Sequence, residues 1–581
     1  MTVTTPRISF GLYALALKQD STPICAPLQS FSKIQDLKTG NVTLRPYATY
    51  EPNFWLLSGD YRFLPEDTSN VHVGLMSLFT SNEANYFVGL AGPDLPPEVV
   101  PIVLSIEFSQ LHSTEGLTLH FSQQTDDYAT VIKIEYFDGE NGLIQSDFYS
   151  PTTWEFSTEI AVTGFKKIEI SFYSTNKPYR YLRVTGIDFG KLIVFSGTDI
   201  QQASVIEQTD PLSTTIPIGT MDLTLFSSNA AFSMINPIGD YTALQYRQPL
   251  AVYEDVEDDQ VFIGDFFLDE WENKSDTVIN FRCVDMLGIL DTQPYFGGLW
   301  SASEGKVVSA LLREMFEAIS IPYDLDSDLD EMPIIGWLPV CSYREALQQI
   351  AFAIGVHVSC SRSGVIQIYK TILAKNFILP DRTITTAEKG MDQSLTLRTL
   401  VTGVEITSHT YNPSSENVQL FSGTLTVGSH TITFNEPVHN LSITEPSGST
   451  IIASGANYVV ISTATEGIVT LMGQKYVDVS QVTGIYNTEL DTNVKQNILS
   501  ITGATLVYPA IVDIVAQRVY DYYTQRYLQK VKLFTPTTQV GECVLVDTLY
   551  QQKLKGVVEK MELDLAGGFV AQAEIVGVVN A

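Results

Sequence analysis

The sequence predicts a mainly β, multidomain protein: two small β-barrels with an α+β module between them, preceded by a jelly-roll β-sandwich. Three observations predict it. At 581 residues the chain is too long for one core, and about three to five domains are expected. Its 28 tyrosines and 29 phenylalanines, with frequent Val, Ile and Thr, favour strands over helices. Short runs alternate apolar and polar residues with period two and are separated by turn dipeptides.

Residues 1–45 read as an arm with one apolar strand-like run, Ile8 to Leu17. Residues 46–197 read as the sandwich. In GLTLHF, Leu117, Leu119 and Phe121 share one face while Thr118 and His120 take the other. In VIKIEYF, Ile132, Ile134 and Tyr136 oppose Lys133 and Glu135; in KIEISFY, Ile168, Ile170 and Phe172 oppose Lys167 and Glu169. Asp138-Gly139 and Asn141-Gly142 mark turns, and the proline-rich stretch 92–101 marks a loop.

Residues 198–295 read as the first barrel, built from a strand meander over 246–291. Its hairpin tip, Glu254 to Asp259, reads as a solvated acidic turn. Residues 296–375 read as the α+β module. Val308, Leu311, Leu312, Met315, Phe316 and Ile319 recur with helical spacing, predicting a helix over 305–320. A second helix over 342–355 starts with Ser342 as N-cap and Glu345 completing a capping box. A hairpin turning at Ser363-Gly364 follows.

Residues 376–500 read as β-rich, holding the first part of the second barrel and an insertion; NEPVHNLSITEPSGS interrupts its strands as a polar stretch. Residues 501–581 read as a helix over 511–530, whose Tyr520, Tyr522, Tyr523 and Tyr527 pack on their own barrel, and the closing meander over 541–577.

The net charge of −32, with only 34 Lys and Arg, argues against a partner held by its phosphates. Acidity serves solubility, and an acidic wall would also let DNA slide past. Cys25, Cys283, Cys341, Cys360 and Cys543 form neither a disulfide framework nor a CxxC pattern, and read as buried small hydrophobes. The N-terminus lacks a signal-peptide pattern, and no run reaches the roughly 18 apolar residues of a membrane span. Stable membrane insertion is therefore not expected.

Candidate chemistry is sparse. Asp324, Asp326 and Asp328 have calcium-loop spacing, but Leu329 stands where the loop needs Gly and Ile335 where it needs a bidentate Glu. No HExxH or GxSxG motif is present. Asp269 and Glu270 are strand neighbours and point to opposite faces, a poor pair for glycoside hydrolysis. The expectation is a non-enzyme with no catalytic residues, cofactor or metal. Arg62, Tyr128, Trp154 and Arg180 of the sandwich are the candidates for stacking on and hydrogen-bonding a sugar. For Trp154, as for Trp55, core packing is the stronger reading.

The segments QPLAVYE (248–254), VFIGDFFLDEWE (261–272), FRCVDMLGILD (281–291), SYREALQQIAFAIG (342–355) and KGVVEKMELDLAGGFVAQAEIVG (555–577) resemble the hub proteins of phage tails. These are the trimeric baseplate hubs of contractile tails and their relatives at the tips of long tails. The resemblance covers about residues 200–581. GLTLHFS, VIKIEYFDGENGLI and KPYRYLRVTGIDFG resemble galactose-binding-like jelly rolls.

The resemblance implies a homotrimeric ring whose two barrels per copy match a hexameric tail tube. It implies a tail-tube or distal tail protein, a tape-measure protein and tip, spike or receptor-binding proteins as partners. DNA would pass through without specific nucleic-acid binding, and the sandwich would dock neighbours or touch a host surface glycan. The implied location is the virion tail tip, assembled in the bacterial host cytoplasm. The chain ends at Ala581 soon after the second barrel, so no cell-wall-cleaving domain is expected. An extracellular or cell-surface carbohydrate-binding protein is the alternative, and a cell-wall hydrolase the further one.

Overall fold

The computed structural model describes residues 4–14, 17, 22–25, 64–67, 73–88, 99 and 101–580, with short breaks at 123–124, 228–230, 236–238, 258, 293, 302–304, 320, 446–447, 489, 491–493, 535–536 and 551. The fold is mainly β, as the alternation predicts. In chain order the strands of the two barrels are β1 (Thr4–Tyr13), β2 (Tyr181–Ser196), β3 (Ile200–Gln208), β4 (Thr220–Phe226), β5 (Pro249–Val256), β6 (Asp259–Ser275) and β7 (Val278–Val284). They continue with β8 (Arg382–Ile384), β9 (Lys389–Leu397), β10 (Tyr527–Phe534), β11 (Cys543–Asp547), β12 (Lys553–Asp564) and β13 (Val570–Asn580).

The first sheet has the order β3-β4-β7-β6-β5-β1-β2. Its two end strands, β2 and β3, are joined by the three residues Gly197–Asp199, so the sheet comes round on itself. The second has the order β9-β10-β13-β12-β11-β8. Here too the end strands, β8 and β9, follow each other in the chain, separated only by residues 385–388. Each barrel is therefore one three-strand meander (β5-β6-β7 or β11-β12-β13) with three further strands in the same order, β3, β4 and β2 in the first and β9, β10 and β8 in the second. In the second barrel β8 lies parallel to β11. In the first, β1 pairs antiparallel with both β2 and β5, so β1 is an extra strand between the two equivalent positions.

Period-two alternation fills both barrels. Ala203 and Val205 on β3, Leu250 and Val252 on β5, Met561 and Leu563 on β12, and Ala571, Ala573 and Ile575 on β13 are all buried. Together with Phe10, Phe281 and Phe569 they belong to one continuous core that runs through both barrels. The link is β3, which pairs antiparallel with β12 from Ser204↔Asp564 to Gln208↔Lys560.

Among the described residues, the sandwich packs two five-stranded sheets over a core in which Phe108 meets Phe165 and Phe189 edge to face. One sheet contains Thr22–Cys25, Ile102–Thr114, Val162–Thr175, Ala129–Phe137 and Leu143–Tyr149. The other includes Val73–Thr80, Leu117–Phe121, Glu155–Ser157 and the first half of β2. The arm expected over 1–45 contributes to two bodies: β1 lies inside the first barrel, and Thr22–Cys25 pairs with Ile102–Thr114. The reason is burial. Ile8, Phe10 and Leu12 alternate along β1 and would stay wet in an arm, whereas between β2 and β5 they are at most 3% exposed.

The sandwich is not loosely appended. β2 pairs with sandwich strands up to Phe189 and with β1 from Gly190 onward. Gly190 sits at φ +143°, and a Cβ there would lie 2.0 Å from the Leu12 carbonyl oxygen. Only glycine allows this close approach.

Between the barrels lies the α+β module. Helices α1 (Val308–Ile319) and α2 (Tyr343–Ile354) share a core with the strands Tyr323–Leu325, Val356–Ser359 and Ile366–Lys370. The capping box forms: Ser342 Oγ accepts from Glu345 N–H, and Glu345 Oε2 accepts from Ser342 N–H at 3.0 Å. Gly355 ends α2 in the left-handed region at φ 84°.

Residues 398–526, between β9 and β10, carry two further sheets and helix α3 (Val512–Tyr523). The stretch read as a polar interruption contains the strand Val438–Glu445, because Leu441 and Ile443 pack on the buried Val459 and Ile461. The helix expected to reach residue 530 ends at Tyr523. From Tyr527 the chain alternates instead, burying Gln529, Val531 and Leu533 as β10. α3 itself packs mainly on Val404 and Ile406 of the insertion, while the Tyr522 hydroxyl donates to Glu559 of the second barrel at 2.8 Å.

Candidate functional site

The junction between the barrels carries a connected set of polar contacts. Along it, Leu565 N–H donates to Ala203 O and Thr209 N–H to Glu559 O, each at 2.9 Å, extending the β3–β12 ladder at both ends. Glu207 on β3 pairs with Arg362 of the α+β module at 3.1 Å. Burial raises the Glu559 carboxyl to about 7, against the nearby Arg398 guanidinium and the Tyr522 hydroxyl, which lower it. An open cleft of about 670 Å³ flanks the junction, lined by Gln202, Ser204, Lys532, Glu562, Asp564 and Gln572.

The same strand positions are open elsewhere. On β12, residues 553–557 pair with β11 and residues 560–564 turn to β3. On the equivalent strand β6, residues 259–267 pair with β5, and beyond Leu268 that edge has no strand partner among the described residues. Likewise β9, the equivalent of β3, pairs with β10 on one side only among the described residues. Met391 and Leu397 on β9 are 85% and 59% exposed.

The acidic hairpin tip is not wholly solvated. Glu254 shares the inward face of β5 with Leu250 and Val252 and is fully buried. Burial pushes its carboxyl up to about 8, which the Thr4 hydroxyl opposes only in part. The signal was in the sequence: Leu250, Val252 and Glu254 fall at spacing two.

Three of the four sandwich candidates fall at one end of that domain. Tyr128 is half-buried against the sandwich core, and its carbonyl accepts from Asn176 N–H at 2.9 Å. Trp154 is half-buried on the same core, its carbonyl accepting from Phe121 N–H at 2.6 Å, next to the Ser122–Asp127 bridge. Arg180 is exposed, with Nε 3.5 Å from the buried Asp127 carboxylate. The Lys177 ammonium fills the neighbouring ring of oxygens, donating to Thr125 O at 3.3 Å and Asp126 O at 3.1 Å. Arg62, like Trp55, lies outside the described residues.

Where the sandwich meets the first barrel, His120 lies between two carboxylates, Nε2 3.0 Å from Asp188 and Nδ1 3.3 Å from Glu155. Burial works against its charge, but the two carboxylates outweigh it and raise His120 to about 9. Tyr13 of β1 stands edge-on to the imidazole, and Asp265 of β6 is raised to about 6 by burial and by Glu155. Among the described residues, no group of three or more His, Cys, Asp or Glu side chains is placed to hold a metal ion.

No family model matches the chain, and no curated protein matches it. Solved structures do. A tail protein from Neisseria meningitidis MC58 is similar at 9% identity with a TM-score of 0.39, over 66% of this chain and 93% of that one. A 43 kDa tail protein of prophage MuSo2 from Shewanella oneidensis is similar at 10% identity with a TM-score of 0.37, over 66% and 95%. The prophage tail protein gp18 from Listeria monocytogenes EGD-e is similar at 7% identity with a TM-score of 0.37, over 67% and 92%.

Proposed function

We propose that this chain is a structural phage-tail protein, three copies of which form a hub ring at the tail tip. The observation that carries the reading is the internal repeat: two barrels of one strand order, joined in a fixed way through β3 and β12. A unit that contains one such joint, and leaves both halves of a second open on β9 and β6, is built to repeat head to tail. Three copies give six barrels, the number that matches a hexameric tube. Within the ring, β9 of one copy adds to the free edge of β6 in the next, burying Met391 and Leu397.

In this reading the chain carries out no chemical step. It joins a tail-tube or distal tail protein and the tape-measure protein to the tip, spike or receptor-binding proteins, and its lumen passes DNA without specific binding. Its place is the virion, after assembly in the bacterial cytoplasm. The sandwich docks neighbours or touches a host glycan through the end that carries Tyr128, Trp154 and Arg180.

Light scattering on the wild type and on Met391→Asp/Leu397→Asp tests the joint. The wild type is expected as a trimer and the variant as a folded monomer. A variant that stays trimeric excludes β9 as the joint.

A further inference from the structure

A second cleft, of about 530 Å³, opens where the α+β module meets the insertion, lined by Trp337, Tyr411, Glu416, Lys475, Tyr476 and Asp478 among others. That volume suits a ligand of a few rings. Its floor is firmly held. Trp337 Nε1–H donates to Asn457 Oδ1 at 2.6 Å, and the fully buried Asn457 donates to Phe296 O at 2.8 Å and Leu338 O at 2.6 Å. Trp337 N–H donates to Thr505 O at 3.3 Å, and the Thr505 hydroxyl donates back to Trp337 O. Gly336, at φ +129°, allows that contact, since a Cβ there would lie 2.4 Å from Thr505 O.

The walls are aromatic and set at an angle. Trp337 and Tyr411 meet at 5.9 Å and 64°, forming a corner, and His409 lies parallel to Tyr411 at 6.2 Å. Such a corner offers one face to the C–H surface of a flat ligand and one to its edge. Burial and the Asp478 carboxylate raise the Tyr411 hydroxyl above its usual range, so it remains a donor.

The charges of the cleft are mostly satisfied at home. Asp478 Oδ2 lies 2.7 Å from His409 Nδ1, and Lys475 Nζ lies 2.6 Å from Glu436 Oε2. The His409 ring is held from its other side by Thr502 O at 3.1 Å. With carboxylates outnumbering the one ammonium, an anionic ligand is repelled. With two of the three carboxylates already paired, a cationic peptide gains little. What remains is a neutral ligand with many hydroxyls, which needs rigid acceptors, a few donors and an aromatic platform together.

We infer that this cleft binds a neutral oligosaccharide, one sugar ring packing on Tyr411 in the corner made with Trp337. The inference does not rest on the ring: a monomer that binds sugar here would retain it and remove the assembly reading, and a trimer that binds none would do the reverse.

The test uses the full chain on an array of neutral oligosaccharides, with basic peptides and anionic polysaccharides as comparators, and calorimetry on the hits. At least one neutral glycan is expected to bind. Tyr411→Ala is expected to weaken it at least tenfold. Val477→Arg, at a rim position 54% exposed and therefore safe for folding, is expected to abolish it. Ile378→Ser, at a position 92% exposed ahead of β8 and not lining the cleft, is expected to leave it unchanged. Silence toward every neutral glycan, binding confined to basic peptides, or glycan binding that Val477→Arg leaves intact, would overturn the inference.

Discussion

Glu207 on β3 and Arg362 in the turn after Val356–Ser359 form a 3.1 Å ion pair with each side chain only 3% exposed. It ties the α+β module to the strand that joins the two barrels. A buried pair is weak evidence of net stability, but breaking it strands a charge. Arg362→Met is therefore expected to lower the stability of the first barrel by about 3–5 kcal/mol. Glu207→Gln/Arg362→Met should recover much of the loss. Calorimetric unfolding of the three proteins checks this, and equal stability of single and double variants would contradict it.

Glu254 contributes in the opposite sense. Its folded pKa of about 8 lies above the ordinary carboxyl value, so the folded state prefers the proton. Stability from this group is full below pH about 4.5 and is lost as pH rises toward 8. Glu254→Gln should be neutral at pH 4 and stabilising by roughly 3–5 kcal/mol above pH 8, at about 1.4 kcal/mol per pKa unit. Melting temperatures of both proteins across pH 4–9 measure it; parallel curves would contradict it.

His120 is raised to about 9 by Asp188 and Glu155. A group raised in the folded state stabilises fully below its unfolded pKa, here about 6.5, and loses that stability as pH rises through 9. The His120 ring signals in NMR should therefore show a charged imidazole from pH 6 to 8. Titration with a midpoint near 6.5 would contradict the doubly paired geometry. His120→Gln should cost roughly 2–3 kcal/mol at pH 6 and little at pH 10.

Gly190→Ala tests whether sandwich and barrel are one unit. Its Cβ would meet Leu12 O at 2.0 Å, and its φ of +143° suits only glycine. The expected result is loss of β1 from the first barrel, seen as fast amide exchange over Ile8 to Leu12 and a stability loss of at least about 2 kcal/mol. Protection equal to the wild type would contradict it.

Much of this was legible in residue order. The alternation of Leu117, Leu119 and Phe121 and the Ser342–Glu345 capping box both appear in the structure because each is a local rule. A run of acids suggests a solvated turn at Glu254, whereas its strand phase places it inward. Tyr527 continues an aromatic run that suggests a helix through residue 530, and only pairing with β13 makes it the start of a strand. The role of β1 and the Trp337–Tyr411 corner were beyond sequence reach, since each joins residues far apart in the chain.

The most direct measurement is native mass spectrometry of the purified full chain, with electron microscopy of the same sample. A particle of three times the 64.3 kDa chain mass is expected, seen as a ring of six barrel densities. A monomer at every concentration, or a ring with another number of copies, would contradict it.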